Sequence, residues 1–432
     1  MYKTIAALVA ILVFPTGVNK EKLDEYFQVL RAHDAFMGNI AVYEQGVKKY
    51  AVATGYARLD PETRAGESTM YHLGSISKTY TATLVLKAVE EGKLQLSQTI
   101  ESFFPALQNA DRITIAQLLN HHSGIHNVTS DAKFMEWRTR AQSEEDMLSH
   151  ILRGGVDFEP GAQAQYSNSN YILLSYILEH TYKKPYGALL EQKIIEPLDL
   201  EHTRFGNPAQ PSTATKSYVY EDGWVEFPPT DMSVPMGAGG IAASASDLAK
   251  FVEALFTGKL ISTASLEKMK TQQDDYGMGL FRRDFGERVG YGHDGKIDGF
   301  GTVFYYFPEE KVTYVLLSNG EVYPLEKIHT DVLSGVFNEP FEIPAFYDVR
   351  AEELTLYLGT YTSETNPLVI HISKKENKLL AQPEGQEVYA MEATAQHHFR
   401  HDMAGVTLEF VPAEHRMIMK QGGNTWVFTK RN

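Results

Sequence analysis

The spacing of apolar residues along this chain changes in distinct blocks. Between residues 20 and 33, Leu23, Phe27 and Leu30 recur at helical intervals with no proline or glycine between them, which predicts an amphipathic helix. Residues 38–43 and 50–57 alternate apolar and polar, predicting two strands joined as a hairpin across Gln45-Gly46-Val47-Lys48. Residues 79–90 form a long apolar segment with Leu84, Val85, Leu86, Ala88 and Val89. From about residue 94 to 228 the pattern is mostly helical with long loops, and 171–180 is its clearest apolar helix. Alternation returns at 299–307 and 311–318, on either side of a Pro308-Glu309-Glu310 turn. Helices in the middle and strands at both ends predict an α/β sandwich carrying an all-helical subdomain.

The pattern breaks at residues 338–349, where Pro340 and Pro344 interrupt a stretch with no period. Short alternating runs follow at 368–373, 378–382, 387–392, 406–411, 416–420 and 425–430, with turns at Glu376-Asn377 and Gln421-Gly422-Gly423-Asn424. Strands at this even spacing predict a small C-terminal antiparallel β-barrel. At the other end, Met1-Tyr2-Lys3 and an apolar run over 5–14 form a stretch too short to span a bilayer. It reads as a secretory signal, with a buried N-terminal helix as the alternative. The expected organisation is a signal segment at 1–19, a catalytic domain at 20–338, a linker at 339–350 and the barrel at 351–432. The expected location is exported, periplasmic or extracellular, with no integral membrane span.

Composition narrows the classes. The 432 residues leave room for two or three domains and a full-sized core, and 43% hydrophobic with 22% charged content is ordinary for a globular chain. A net charge of −15 argues against nucleic acid or anionic membrane surfaces as partners. With no cysteine, disulfides, thiol catalysis and Cys-based zinc sites are excluded.

Chemistry concentrates in three short segments: Gly74-Ser75-Ile76-Ser77-Lys78, Tyr166-Ser167-Asn168 and Gly292-His293-Asp294-Gly295. Ser-x-x-Lys also occurs at Ser130/Lys133 and Ser265/Lys268, so the pattern alone proves little. Context separates the three. Ser130 lies in a polar stretch that reads as a loop, and Ser265 in a charged one that reads as a solvated helix face. Only Ser75 follows a glycine and opens an apolar helix, where free backbone N–H groups and the positive end of the dipole collect. Positions i and i+3 share a face, so the Lys78 amine can reach the Ser75 hydroxyl. Burial would then favour the neutral amine as a base. The alternative is an N-cap serine and an exposed lysine on an ordinary helix. Tyr166 and Asn168 add a phenol and an amide, or are simply a loop before a helix.

In that order, Ser-x-x-Lys, Tyr-x-Asn and a His-x-Gly box resemble the class C β-lactamases, the D-Ala-D-Ala carboxypeptidases and the related esterases and D-aminopeptidases. The likeness extends through residues 113–125, Phe158-Glu159-Pro160-Gly161, Gly237-Ala238-Gly239-Gly240-Ile241 and Val315-Leu316-Leu317-Ser318-Asn319-Gly320, covering roughly residues 35 to 335. The segment Leu356 to Tyr361 looks like the opening of the lipocalin-like domain that some members carry. The resemblance implies a β-lactamase-like α/β sandwich and a serine hydrolase with an acyl-enzyme on Ser75, needing no cofactor or metal. It implies proton transfer by Lys78 and by a Tyr166 that is partly phenolate, and positioning by Asn168 and His293. Gly295 would let substrate backbone approach, and the Lys296 N–H would join that of Ser75 as an oxyanion hole.

Asp294 departs from the family pattern, which often has a hydroxyl or glycine there. An aspartate would repel a substrate carboxylate, and it is either a receptor for a substrate amine or a solvated turn residue. The expected partner is a small peptide, amide or ester, most readily one of D-amino-acid type. Short acyl esters, β-lactams and carboxypeptidase substrates are alternatives, as is a weakly catalytic penicillin-binding protein. A homo-oligomer is left open. His121, His122 and His126 read as structural loop histidines. His397 and His398 read as opposite faces of one strand, and the glycines at 237–240 as no phosphate loop.

Overall fold

The computed structural model describes residues 17–206, 215–220, 223–401 and 404–431. The expected signal segment therefore lies outside the described residues up to position 16. The described residues fall into two compact units. Among these residues, one unit draws on 17–27 and 34–341, the other on 28–33 and 342–431.

The first unit is built on a six-stranded antiparallel sheet, in the order Phe281–Arg282, Tyr291–Ile297, Phe300–Phe307, Val312–Glu321, Phe36–Glu44 and Val47–Thr54. Val312–Glu321 is buried along its length but for Glu321, which suits a near-continuous apolar run to a strand covered on both faces. Neighbouring side chains on Phe300–Phe307 show what covers them. Tyr306 stacks on Phe256 of helix Ala245–Phe256, while Tyr305 packs edge-on against His329 of helix Leu325–Val336. Successive strand residues face opposite sides, so the sheet lies between helical layers. Helix Ser77–Glu90 is buried on nearly every face and packs against Asn168–Tyr182 inside the helical part of this unit.

A small three-stranded sheet matters more for the site than its size indicates. Tyr71–His72 and Thr203–Phe205 flank Ile241–Ala243. The Leu73 N–H donates to the Ile241 carbonyl at 2.8 Å, and the Ile241 N–H to Ser77 Oγ at 3.1 Å. These bonds tie the turn before Ser75 to the glycine-rich turn at 237–240, which are over 160 residues apart in sequence.

The second unit contains a closed eight-stranded antiparallel barrel. Two of its strands, Gly359–Thr362 and His398–His401, carry no usable alternation in four residues each; the first was not predicted, and the second only through the reading of His397 and His398 as one strand. His397 is not on a strand. It occupies a left-handed turn position with φ 67°, and its Nδ1 lies 2.8 Å from the Tyr357 hydroxyl. Ser265 also departs from expectation: it is buried and donates to Glu90 Oε1 at 2.6 Å. Among the described residues no helix is long and apolar enough to cross a membrane.

Candidate active site

Ser75 sits in a single 3-10 turn, Gly74–Ile76, that feeds directly into helix Ser77–Glu90. Gly74 has φ +53°, and a Cβ there would lie 2.9 Å from the Lys296 backbone nitrogen. Only glycine fits that turn against the edge of strand Tyr291–Ile297. One helical turn on, Lys78 is 0% exposed. Its Nζ lies 3.0 Å from Ser75 Oγ, 2.7 Å from Asn168 Oδ1 and 2.8 Å from the Ala238 carbonyl. Tyr166 donates its hydroxyl to Ser75 Oγ at 2.7 Å, and Lys78 Nζ stands 4.8 Å from the Tyr166 ring centre.

All three Lys78 partners are neutral oxygens. Burial therefore lowers the amine well below its usual pKa, opposed only by the more remote charge of Asp294. A neutral amine fits the hydrogen-bond count. Its two N–H groups satisfy Asn168 and Ala238, and its lone pair is left for the Ser75 hydroxyl. Asn168 is itself held by its Nδ2 donating to Thr129 Oγ1 at 2.9 Å, which fixes Oδ1 toward Lys78. Tyr166 is not partly phenolate. Burial raises its pKa, an effect that the Ser75 hydrogen bond only partly offsets, and an uncharged Lys78 supplies no ammonium to lower it.

Two residues that sequence reasoning placed elsewhere belong to this cluster. The ring of His121, in a left-handed conformation at φ 61°, lies 4.5 Å from the Tyr166 ring and 5.3 Å from that of Tyr276. The Ser167 N–H donates to its Nδ1 at 3.2 Å, and burial keeps the imidazole neutral. It buttresses the phenol. Ala238 contributes only a carbonyl, which no side-chain motif could reveal. His122 and His126 pair instead with Asp274 and Asp157, and no metal-binding cluster occurs among the described residues.

The third segment lies on strand Tyr291–Ile297. His293 is buried, donates from Nδ1 to the Asp294 carbonyl at 2.6 Å, and is pushed down to about 4, chiefly by burial. Asp294 points to the exposed side and accepts from Arg283 Nη2 at 2.6 Å, so the strand presents an ion pair there rather than a free carboxylate. Gly295 is required for a reason other than substrate approach. A Cβ on it would meet the Leu73 carbonyl oxygen at 2.0 Å and Thr302 Oγ1 at 2.4 Å. The missing side chain lets the strand press against the backbone just before Ser75.

A cavity of about 270 Å³ opens beside Ser75, lined among others by Phe134, Arg138, Asn168, Phe227 and Lys296. The geometry is thus a hydroxyl between a buried neutral amine and a phenol, at the mouth of a largely apolar pocket.

Known proteins share this frame. A teichoic acid D-alanine hydrolase of Staphylococcus aureus is 26% identical over 334 residues, covering 74% of this chain and 79% of the relative. A D-stereospecific amidohydrolase from Streptomyces sp. superposes with a TM-score of 0.63 at 25% identity, covering 73% of this chain and 98% of its own. The octameric penicillin-binding protein homologue from Pyrococcus abyssi has the same fold over 94% of this chain and 99% of its own, with a TM-score of 0.69 at 21% identity. The Beta-lactamase family model matches residues 23–333, a span that takes in every side chain described around Ser75, and the chain therefore belongs to that family.

Proposed function

We propose that this chain is a serine hydrolase working through an acyl-enzyme on Ser75, acting on amide or peptide bonds of D-amino-acid-type substrates. The observation that carries the reading is the Lys78 amine, fully buried among neutral acceptors 3.0 Å from Ser75 Oγ. In that state it takes the Ser75 proton as the oxygen attacks the substrate carbonyl. The oxyanion is received by the Ser75 and Lys296 backbone N–H groups. Tyr166 gives its hydroxyl proton to the leaving nitrogen, the C–N bond breaks, and the Lys78 ammonium returns a proton to the phenolate. Water then attacks the ester. It gives up its proton through the same pair as the carbonyl re-forms, and the proton returns to Ser75 Oγ. Asn168 holds Lys78 in place, and His293 contributes a neutral, desolvated wall.

The substrate class rests on the relatives, one a D-alanine hydrolase and one a D-stereospecific amidohydrolase. Export belongs to the same proposal, supported by Lys3 and the apolar run at 5–14. The test is a nitrophenyl ester with the parent and Ser75→Ala, followed by D- and L-aminoacyl amides. The expected result is a burst of nitrophenolate and a mass increase of one acyl group, both absent from Ser75→Ala, with D-amides turned over faster than L-amides. A Ser75→Ala enzyme as fast as the parent would overturn the reading. A stable acyl-enzyme that never turns over would point to a penicillin-binding protein that stalls.

A further inference from the structure

Two adjacent histidines behind the site reach in different directions. His121 lies against the Tyr166 ring at 4.5 Å, whereas His122, 1% exposed, extends to a turn just after helix Thr263–Lys270. Its Nδ1 is 2.7 Å from the Asn120 carbonyl and its Nε2 3.0 Å from Asp274 Oδ2. The His122 backbone is fixed on both sides: its N–H donates to the Gln117 carbonyl at 2.9 Å, and its carbonyl accepts from the Gly161 N–H at 2.8 Å. A buried, anchored imidazole thus holds a carboxylate that is 65% exposed.

That carboxylate belongs to a strained turn. Gln273 and Tyr276 pair across two residues, each N–H donating to the other's carbonyl, at 2.9 and 3.0 Å. Asp274 and Asp275 fill the turn with φ 48° and 67°. Positive φ at both positions favours asparagine followed by glycine, and Asp275 stands where the glycine would. Besides the His122 bond, Asn120 Nδ2 donates to Gln273 Oε1 at 3.2 Å. The far end of the turn carries Tyr276, whose ring meets His121 edge-on at 5.3 Å and Phe281 at 5.6 Å. Phe281 in turn lies 4.7 Å from His293. Rings therefore run without a break from Tyr166 through His121, Tyr276 and Phe281 to His293, and the turn sets where Tyr276 stands in that row. The Ser75 bond fixes the hydroxyl end of Tyr166, and the His121 ring backs its face. We propose that His122 and Asp274 are positioning residues: their hydrogen bond tethers the turn at 273–276, so that Tyr276 and His121 keep the Tyr166 hydroxyl in line with the leaving nitrogen. The proposal rests on the acyl-enzyme reading, with Tyr166 as its general acid.

The experiment measures kcat and KM for D-phenylalaninamide, and the acylation rate with nitrophenyl acetate, in Asp274→Gly and Asp274→Asn. Glycine accepts the positive φ, so Asp274→Gly removes the tether without straining the turn further. Asparagine keeps the tether, since its amide can accept from an Nε2–H or donate to a bare Nε2. Asp274→Gly should lower amide kcat about 10–100-fold with KM nearly unchanged, the cost of a misplaced catalytic group. Ester acylation should slow by less than about threefold, because nitrophenolate departs unprotonated. Asp274→Asn should stay close to the parent, and in a Tyr166→Phe background Asp274→Gly should add almost nothing. Four results would each overturn the proposal: parental amide kcat in Asp274→Gly, equal losses on amide and ester, an Asp274→Asn as impaired as Asp274→Gly, or a full further loss in the Tyr166→Phe background. If Tyr166→Phe loses amide turnover and Asp274→Gly does not, the tether falls and the acyl-enzyme reading stands. If Tyr166→Phe matches the parent, the general acid falls and takes the tether with it. If Ser75→Ala is as active as the parent, the whole reading falls.

Discussion

Tyr166→Phe isolates the proposed proton delivery from everything else at the site. The change removes one oxygen, 2.7 Å from Ser75 Oγ, and leaves the ring against His121 at 4.5 Å. Ser75 keeps Lys78 as a partner, so the folding cost should be only about 0.5–1.5 kcal/mol, the net value of a hydrogen bond. The catalytic cost depends on the leaving group. An amide nitrogen must be protonated to depart, and losing its general acid should lower kcat/KM about 10²- to 10⁴-fold, or about 3–5 kcal/mol of barrier. Nitrophenolate departs unprotonated, so acylation by a nitrophenyl ester should fall by less than about tenfold. The assay sets ammonia release from D-phenylalaninamide beside the nitrophenolate burst, in parent and variant of matched thermal stability. Equal losses on the two substrates would mean that the hydroxyl merely orients Ser75. Undiminished amide turnover would remove Tyr166 from the reaction.

Other outcomes follow from the same geometry. Lys78→Met should cut acylation about 10²- to 10⁴-fold, and Lys78→Arg should not restore it, because a guanidinium does not release its proton; a burst recovered in Lys78→Arg would contradict the base assignment. Since burial depresses Lys78, activity should rise with pH through a value well under the usual lysine range, and a pH–rate profile with no acid limb would count against it. His293 titrates near 4 when folded against 6.5 when free, which makes up to about 3 kcal/mol of stability pH-dependent. Its folded pKa is depressed, so that contribution is present above pH 6.5 and lost as pH falls toward 4. Thermal melts of His293→Gln should show a shallower acid slope than the parent, and identical slopes would refute the attribution. Gly295→Ala places a methyl 2.0 Å from the Leu73 carbonyl and should cost about 1–3 kcal/mol or more, with acylation lost alongside; an unchanged melting temperature would show that the strand has room to move.

Local physics was legible from the chain. The hairpin at Phe36–Glu44 and Val47–Thr54, the pair Phe300–Phe307 and Val312–Glu321, and six of the barrel strands follow from alternation over five or more residues. Gly359–Thr362 and His398–His401 did not, because four residues hold too little period and their pairing is set by closure of the barrel. Ser75 and Lys78 could be read as partners because i and i+3 share a helix face whatever surrounds it. Their chemistry could not be read in full. The neutrality of Lys78 comes from burial and from Ala238 and Asn168, 160 and 90 residues away. The same holds for the protonated Tyr166, for His121 behind it and for His122 bonded to Asp274. Spacing along a chain fixes which groups one helix or strand presents together. The dielectric around them, and hence their protonation, is a property of what packs on every side, and only the folded chain sets that.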